Sequence, residues 1–526
     1  MRHDQIDPGQ IEYPVSGSGN GSGMGRTPGI TTGLRCQIGP VPRKKRDVES
    51  IEIVTPWQEF YSTVRDVDWP DCNDEQGFHD LPDWIKHECM LVHGYQPGQY
   101  QSQSNLVYRA FPIQTKTSCQ LKWTWSTVYL ATGKTASCHR TNRHKFDTEV
   151  FDFHNTPEKI KDRSRMLQGL WPEKGCDYCK NIENAGGQSD RLTNLDMPGI
   201  HAPPEIDIDP DAVDVTPRIL EVYFDNICNL KCLYCGPHFS SLWDAENKKH
   251  GTFRDKGLMI PGVFTKDPDI ETNKQKLFHW LESNCHHLTN FNILGGEPLF
   301  QKEFDQCLDF FNRFPAPHLD LQIFTNLNAT EEKIDSTIYT VKKLIDQKKI
   351  KKFTVTASLD CWGAEQEYVR FPLDLGIWKR NFETLLNHDW ITLIVGSTIT
   401  PLTIRTLPDL VGQINGWRKI RPVYHYFNSV NSPSYMFIDI FGDFFVEDFN
   451  KALSMMPQDD PEQSNTHGYL QGIARQSAAN LINRSEVQKL KTFLDEMDRR
   501  RNTDWRKVFP WLDPVFTQIL SLEHRP

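Results

Sequence analysis

Between about residues 216 and 430 the chain alternates short β-branched and aromatic runs with longer stretches whose apolar residues recur every three or four positions. This alternation restricts the fold more than any other feature. The strand-like runs are Ile219–Phe224, Leu288–Leu294, Leu319–Thr325, Phe353–Leu359, Ile391–Ile399 and Val423–Phe427. Helical spacing marks Lys274–Ser283, Lys302–Arg313, Glu331–Asp346, Trp378–Asn387 and Leu407–Trp417. A strand followed by a helix returns to the same sheet through a right-handed crossover, so parallel strands are expected. Six such units suit an open or partial (βα)6 TIM-like barrel, in the α/β class, better than a closed eightfold one.

The flanks read differently. Residues 1–50 are rich in Gly, Ser and Pro, as in Ser16-Gly-Ser-Gly-Asn-Gly-Ser-Gly23, and are predicted to be disordered or loosely ordered. The basic run Arg43-Lys44-Lys45-Arg46 reads as a solvated linker. Residues 51–205 are aromatic, broken by Pro and Gly, and cysteine-rich; 206–435 hold the barrel core. Residues 436–526 form a helical C-terminal extension with helices over Phe445–Met455, Leu470–Asn483 and Ser485–Arg500 and an aromatic segment Trp505–Leu512. At 526 residues with 38% hydrophobic content, about two or three domains are expected. No apolar run of membrane-spanning length and no secretory-type start is seen, so a cytoplasmic protein without membrane contact is expected. A net charge of -10 argues against a nucleic-acid partner, which needs a large positive face.

In a reducing compartment the thirteen cysteines are poor disulfide candidates, which leaves metal or iron–sulfur binding for those that are patterned. Cys36, Cys72, Cys89, Cys285, Cys307 and Cys361 are scattered and read as small core residues. Directly after the first strand run comes Cys228-Asn-Leu-Lys-Cys232-Leu-Tyr-Cys235, a C-x3-C-x2-C triplet on a loop. Three thiolates suit a [4Fe–4S] cube whose fourth iron has no protein ligand, and an open coordination position is what binds a cofactor or substrate. A zinc knuckle completed by His238 is the structural alternative. The second strand run ends in Leu294-Gly295-Gly296-Glu297-Pro298, about 60 residues later, where glycines allow close backbone approach and a carboxylate can accept from an ammonium.

The triplet and the Gly-Gly-Glu turn, in this order and at strand ends, resemble the signatures of the radical S-adenosylmethionine superfamily. The resemblance implies that Cys228, Cys232 and Cys235 hold a [4Fe–4S] cluster that reductively cleaves S-adenosylmethionine to a 5′-deoxyadenosyl radical, which abstracts hydrogen from a substrate. It assigns cofactor contacts to Tyr234, Gly295, Gly296, Glu297, Asn326, Ser358, Asp360 and Arg370, with Glu297 on the amino group and Ser358, Asp360 and Arg370 on ribose hydroxyls and carboxylate. The superfamily's usual glycine pattern near the fifth strand is not clear in Val395-Gly-Ser-Thr-Ile-Thr400.

Upstream, Cys119 and Gly133-Lys-Thr-Ala-Ser-Cys138 give C-x13-G-x4-C, followed by Cys176-Asp-Tyr-Cys179. Four thiolates fully ligate a second [4Fe–4S] cluster or a zinc ion. The spacing resembles the twitch and SPASM auxiliary-cluster domains, which usually follow the barrel rather than precede it. Segments Glu183–Arg191 and Ser240-Ser241-Leu-Trp243 share the resemblance. By the same resemblance a peptide or protein is the expected substrate and flavodoxin or ferredoxin the expected electron donor; a small molecule or nucleotide substrate, or a non-catalytic zinc or iron–sulfur scaffold, is the rival. Trp123, Trp125 and Trp171 read as core packing rather than electron relays. No catalytic acid or base is assigned, and Cys361, Glu365 and Tyr368 read as structural.

Overall fold

The computed structural model describes residues 117–138, 141–184, 189, 191–192, 214–430, 432–457 and 461–521. The expectations for residues 1–50, for the 51–116 part of the cysteine-rich region, for the linker Arg43–Arg46 and for Cys36, Cys72 and Cys89 lie outside the described residues, as do 185–188 and 190 in the segment after Cys179.

The strands, in chain order, are β1 Trp125–Tyr129, β2 Lys134–Ala136, β3 His144–Lys145, β4 Ile219–Tyr223, β5 Phe253–Asp255, β6 Leu258–Ile260, β7 Asn290–Leu294, β8 Ala316–Thr325, β9 Ile350–Ser358, β10 Ile391–Ile399 and β11 Tyr424–Ser429. Nine of them form one open sheet in the order β11-β10-β9-β8-β7-β4-β1-β2-β3, and β5 and β6 form a small hairpin. From β4 to β11 every neighbouring pair is parallel, and the six strands are those expected from the sequence, in consecutive order. Between them lie helices Ile270–Asn284, Lys302–Arg313, Glu331–Asp346, Leu375–Leu386 and Leu407–Arg418. Helix Lys302–Arg313 shows why: Phe304, Leu308 and Phe311 share one stripe and are buried against the sheet, while Lys302, Gln306 and Asp309 face out.

The sheet extends beyond the expected strands. β1 pairs in parallel with β4 along its whole length, Trp125 opposite Ile219 and Tyr129 opposite Tyr223, and β2 and β3 follow antiparallel. The cysteine-rich stretch therefore shares a sheet with the strand–helix repeat instead of packing as a separate layer. Short strands with polar interior positions, such as Thr127 hydrogen-bonded to Glu221, hid this pairing from the hydrophobic pattern.

Beyond β11, helices Val446–Met455, Pro461–Ala479, Arg484–Arg501, Trp505–Val508 and Leu512–Ser521 follow. The helix Arg484–Arg501 packs beside the cysteine-triplet segment: Phe493 stacks on Trp243, and Arg501 binds the buried Glu246. Tyr368 donates to Asp498 at 2.8 Å, which makes it a brace for this helix. Cys285, Cys307 and Cys361 are buried core residues, and Trp123 is packed in the core. Among the described residues no helix is long and apolar enough to cross a membrane.

Candidate active site and thiol centres

Where β4 ends at Tyr223 the chain leaves the sheet and forms the loop carrying Cys228, Cys232 and Cys235, at the carboxyl ends of the parallel strands where such sheets bind ligands. Backbone bonds fix the loop: Lys231 donates its N–H to Phe371 at 2.7 Å and Leu233 to Val369 at 2.8 Å. The helix Ser241–His250 clamps its other side. Ser240 caps that helix by accepting from the Trp243 N–H and donates its own hydroxyl to the Leu230 carbonyl at 2.6 Å, while the Trp243 indole donates to the Cys232 carbonyl at 2.8 Å.

Donors converge on the sulfurs. The Leu230 N–H lies 3.4 Å from Cys228 Sγ, Asn326 Nδ2 lies 3.9 Å from the same sulfur, and Arg370 Nη1 lies 3.9 Å from Cys232 Sγ. Such N–H···S contacts favour thiolate and are the outer shell a metal–thiolate site requires. As free thiols the three are pushed up, first by burial, Cys235 to about 12, and for Cys228 and Cys235 also by the neighbouring Cys232. His238 is exposed and stacks on Phe264 with centroids 4.6 Å apart.

The Gly-Gly-Glu turn docks against this loop. Gly295 and Gly296 have φ of +76° and +58°; a Cβ on Gly295 would stand 2.2 Å from the Tyr223 ring, and one on Gly296 would stand 2.2 Å from the Ile227 carbonyl oxygen. Only glycine fits both the conformation and the contact. The Glu297 N–H donates to Ile227 at 2.7 Å, and Gln301 Nε2 ties Gly295 and Ile227 together through their carbonyls. The Glu297 carboxylate is 1% exposed and accepts from the Thr325 hydroxyl at 2.6 Å, the Asn326 N–H at 2.6 Å and the Leu299 N–H at 3.1 Å. Burial raises its pKa to about 7 against the pull of those three hydrogen bonds.

Asp360 and Arg370 form the third element. The fully buried Asp360 carboxylate accepts from Arg370 Nε at 2.8 Å, Arg370 Nη2 at 2.9 Å, the Tyr234 hydroxyl at 2.5 Å and the Thr398 N–H at 2.9 Å. A carboxylate offers about four acceptor positions, and all are filled from within the chain. Asn326 donates to Asn229 Oδ1 at 2.8 Å. Ser358 ends β9, is half-buried, and makes no side-chain hydrogen bond among the described residues.

The upstream cysteines converge separately. Cys119, Cys138, Cys176 and Cys179 line one cavity with Lys122, Trp171 and Arg191, and none is in a disulfide. Burial pushes Cys119 and Cys176 up, the latter to about 12, and the other thiols raise Cys119 further. Two cations face the cavity, each held by a carboxylate: Lys122 by Asp162 at 2.6 Å, and Arg191 by a fork to Glu183. Arg191 also stacks on Trp171. Four soft sulfur donors beside two cations fit a thiolate-bound metal centre, whose net charge is negative. Among the described residues, at this centre and at the Cys228–Cys232–Cys235 loop alike, no group of three or more His, Cys, Asp or Glu side chains stands at coordination geometry.

Gln301 and Lys122 had no sequence signal, because a lone Gln six residues past a glycine, or a Lys three past a cysteine, belongs to no pattern. The segment Glu183–Arg191 had one, and its two ends meet as the ion pair at the cavity.

No protein-family model matches the chain, and no curated protein matches it. Among solved structures it is similar to native anSMEcpe with bound AdoMet, at 17% identity and a TM-score of 0.28. It is also similar to native anSMEcpe with bound AdoMet and the Cp18Cys or Kp18Cys peptide, each at 18% identity and a TM-score of 0.27. Each match covers 45% of this chain and 57% of the other, so the chain spans little more than half the length of these structures.

Proposed function

We propose that the chain is a radical S-adenosylmethionine enzyme, with Cys228, Cys232 and Cys235 holding the cofactor-binding [4Fe–4S] cluster. The observation that carries this reading is the apposition of a three-thiol loop, with N–H donors on two of its sulfurs, to a glycine turn that admits no side chain. The chemistry supplied by the bound cluster and cofactor is one-electron cleavage of the sulfonium, ending in hydrogen-atom abstraction from the substrate.

The chain's own residues bind and orient. Gly295 and Gly296 let the backbone approach the cofactor, and Glu297 keeps about one acceptor position for its ammonium. The Ser358 hydroxyl is the strand-end group suited to ribose or carboxylate oxygens, while Asn326 acts on the cysteine loop, donating to Asn229 Oδ1 and lying against Cys228 Sγ. Asp360, with its acceptors filled, acts through Arg370 and Tyr234, holding the Arg370 guanidinium against Cys232. Cys119, Cys138, Cys176 and Cys179 hold an auxiliary [4Fe–4S] cluster, beside the Lys122–Asp162 and Arg191–Glu183 pairs, and a zinc ion is the second reading because the same donor set suits it. The substrate class that follows from the resemblance to twitch and SPASM proteins is a peptide or protein, with a flavodoxin or ferredoxin as reductant.

The test is anaerobic reconstitution with iron and sulfide, then dithionite and S-adenosylmethionine. Release of 5′-deoxyadenosine supports the enzyme; a fully formed cluster that releases none overturns it in favour of a non-catalytic scaffold.

A further inference from the structure

Where β1 and β4 end, the rings of Tyr129 and Tyr223 stack with centroids 4.5 Å apart, and Tyr223 meets Phe239 at 5.4 Å. Arg143 closes this aromatic corner. Its guanidinium carbon lies 4.1 Å from the Tyr129 centroid and 5.0 Å from that of Phe239, and the side chain is exposed. One contact runs to the Tyr129 hydroxyl. Packing against two rings occupies the faces of a guanidinium and leaves its other in-plane N–H groups for an approaching acceptor.

The corner joins both cysteine segments, because Arg143 follows Cys138 and Phe239 follows Cys235. Lys134, on β2, stands directly opposite Tyr129 in the antiparallel register and so on the same face of the sheet. Two carboxylates lie near. Glu221 sits behind the tyrosines and accepts from the Thr127 hydroxyl, and Asp267 packs on Gly133 and accepts from the Asp269 N–H. Among the described residues no ion pair holds Arg143 or Lys134. Elsewhere in this acidic chain the cations at the sites are matched, Lys122 by Asp162, Arg191 by Glu183 and Arg370 by Asp360.

We infer that Arg143 and Lys134, set at the Tyr129–Tyr223–Phe239 corner, form a subsite for an oxyanion of the substrate, a carboxylate or a phosphate, on the segments that follow the two cysteine groups. A planar guanidinium held on rings is pre-organised to fork onto such a group, and the second cation adds charge without fixing geometry. Calling the ligand a substrate rests on the radical-enzyme reading; the anion site itself does not.

The test is calorimetric titration of the full chain at low salt with glutarate and with inorganic phosphate, and with neutral glutaramide as control. Binding in the millimolar range by either anion is expected, weakened about tenfold or more in Arg143→Gln and in Lys134→Gln, with Arg143→Lys intermediate. Preference for glutarate identifies a carboxylate-bearing substrate, and preference for phosphate a phosphorylated one. Absence of anion binding, equal binding of glutaramide, or unchanged affinity in Arg143→Gln overturns the inference. So does an Arg143→Gln variant that loses S-adenosylmethionine affinity while keeping glutarate, because the group would then serve the cofactor. Anion affinity is read without turnover, so failure here and failure to release 5′-deoxyadenosine are separate results.

Discussion

Arg370 grips Asp360 through two parallel hydrogen bonds, Nε to Oδ2 at 2.8 Å and Nη2 to Oδ1 at 2.9 Å, and the remaining nitrogen is turned toward Cys232 Sγ at 3.9 Å. Both side chains are buried, so each charge depends on the other. Asp360→Asn leaves the guanidinium without its counter-charge and should destabilise the fold by about 3–5 kcal/mol in urea denaturation. A loss under 1 kcal/mol would contradict the pairing.

Arg370→Lys keeps a cation but removes the fork and the N–H directed at sulfur. With the cluster installed, its reduction potential should fall, since hydrogen bonds to cluster sulfurs stabilise the reduced state. A redox titration followed by electron paramagnetic resonance reads this directly; an unchanged midpoint would remove Arg370 from the cluster's surroundings.

Glu297 imposes a pH dependence. Its pKa in the fold, about 7, lies above the ordinary value of 4.5, so the folded chain binds more protons than the unfolded one between these limits. The contribution is fully present below about pH 4.5 and is lost as pH rises through 7. Unfolding free energies measured across that window should therefore show a downward slope from this group, on the order of 3 kcal/mol in total, that Glu297→Gln removes. Identical slopes in wild type and variant would refute it.

The glycines of the turn differ in what a methyl group would meet. On Gly296 it meets the Ile227 backbone, which cannot yield, whereas on Gly295 it meets the Tyr223 ring. Gly296→Ala should cost more than about 2 kcal/mol, counting the positive φ, and should exceed Gly295→Ala in thermal unfolding.

Iron analysis separates the two thiol centres. Reconstituted wild type should carry about eight irons per chain, and either Cys119→Ser or Cys176→Ser should leave about four with S-adenosylmethionine cleavage retained. Cys228→Ser should abolish cleavage. Zinc in place of iron at the upstream site would select the structural reading of that centre.

Periodicity alone was enough for the six parallel strands from β4 to β11 and the helices between them, because burying one face of each helix on a sheet needs a regular apolar repeat, and such a repeat is visible in one dimension. The spacing of Cys228, Cys232 and Cys235 was equally legible, since a short loop cannot separate its own thiols. Tertiary structure alone decided that β1 joins β4, that Asp360 spends its carboxylate on Arg370 and Tyr234, and that Arg143 rests between Tyr129 and Phe239. Those contacts link residues about 10 to 126 positions apart through specific hydrogen-bonding and ring geometry, which leaves no period in the sequence to read.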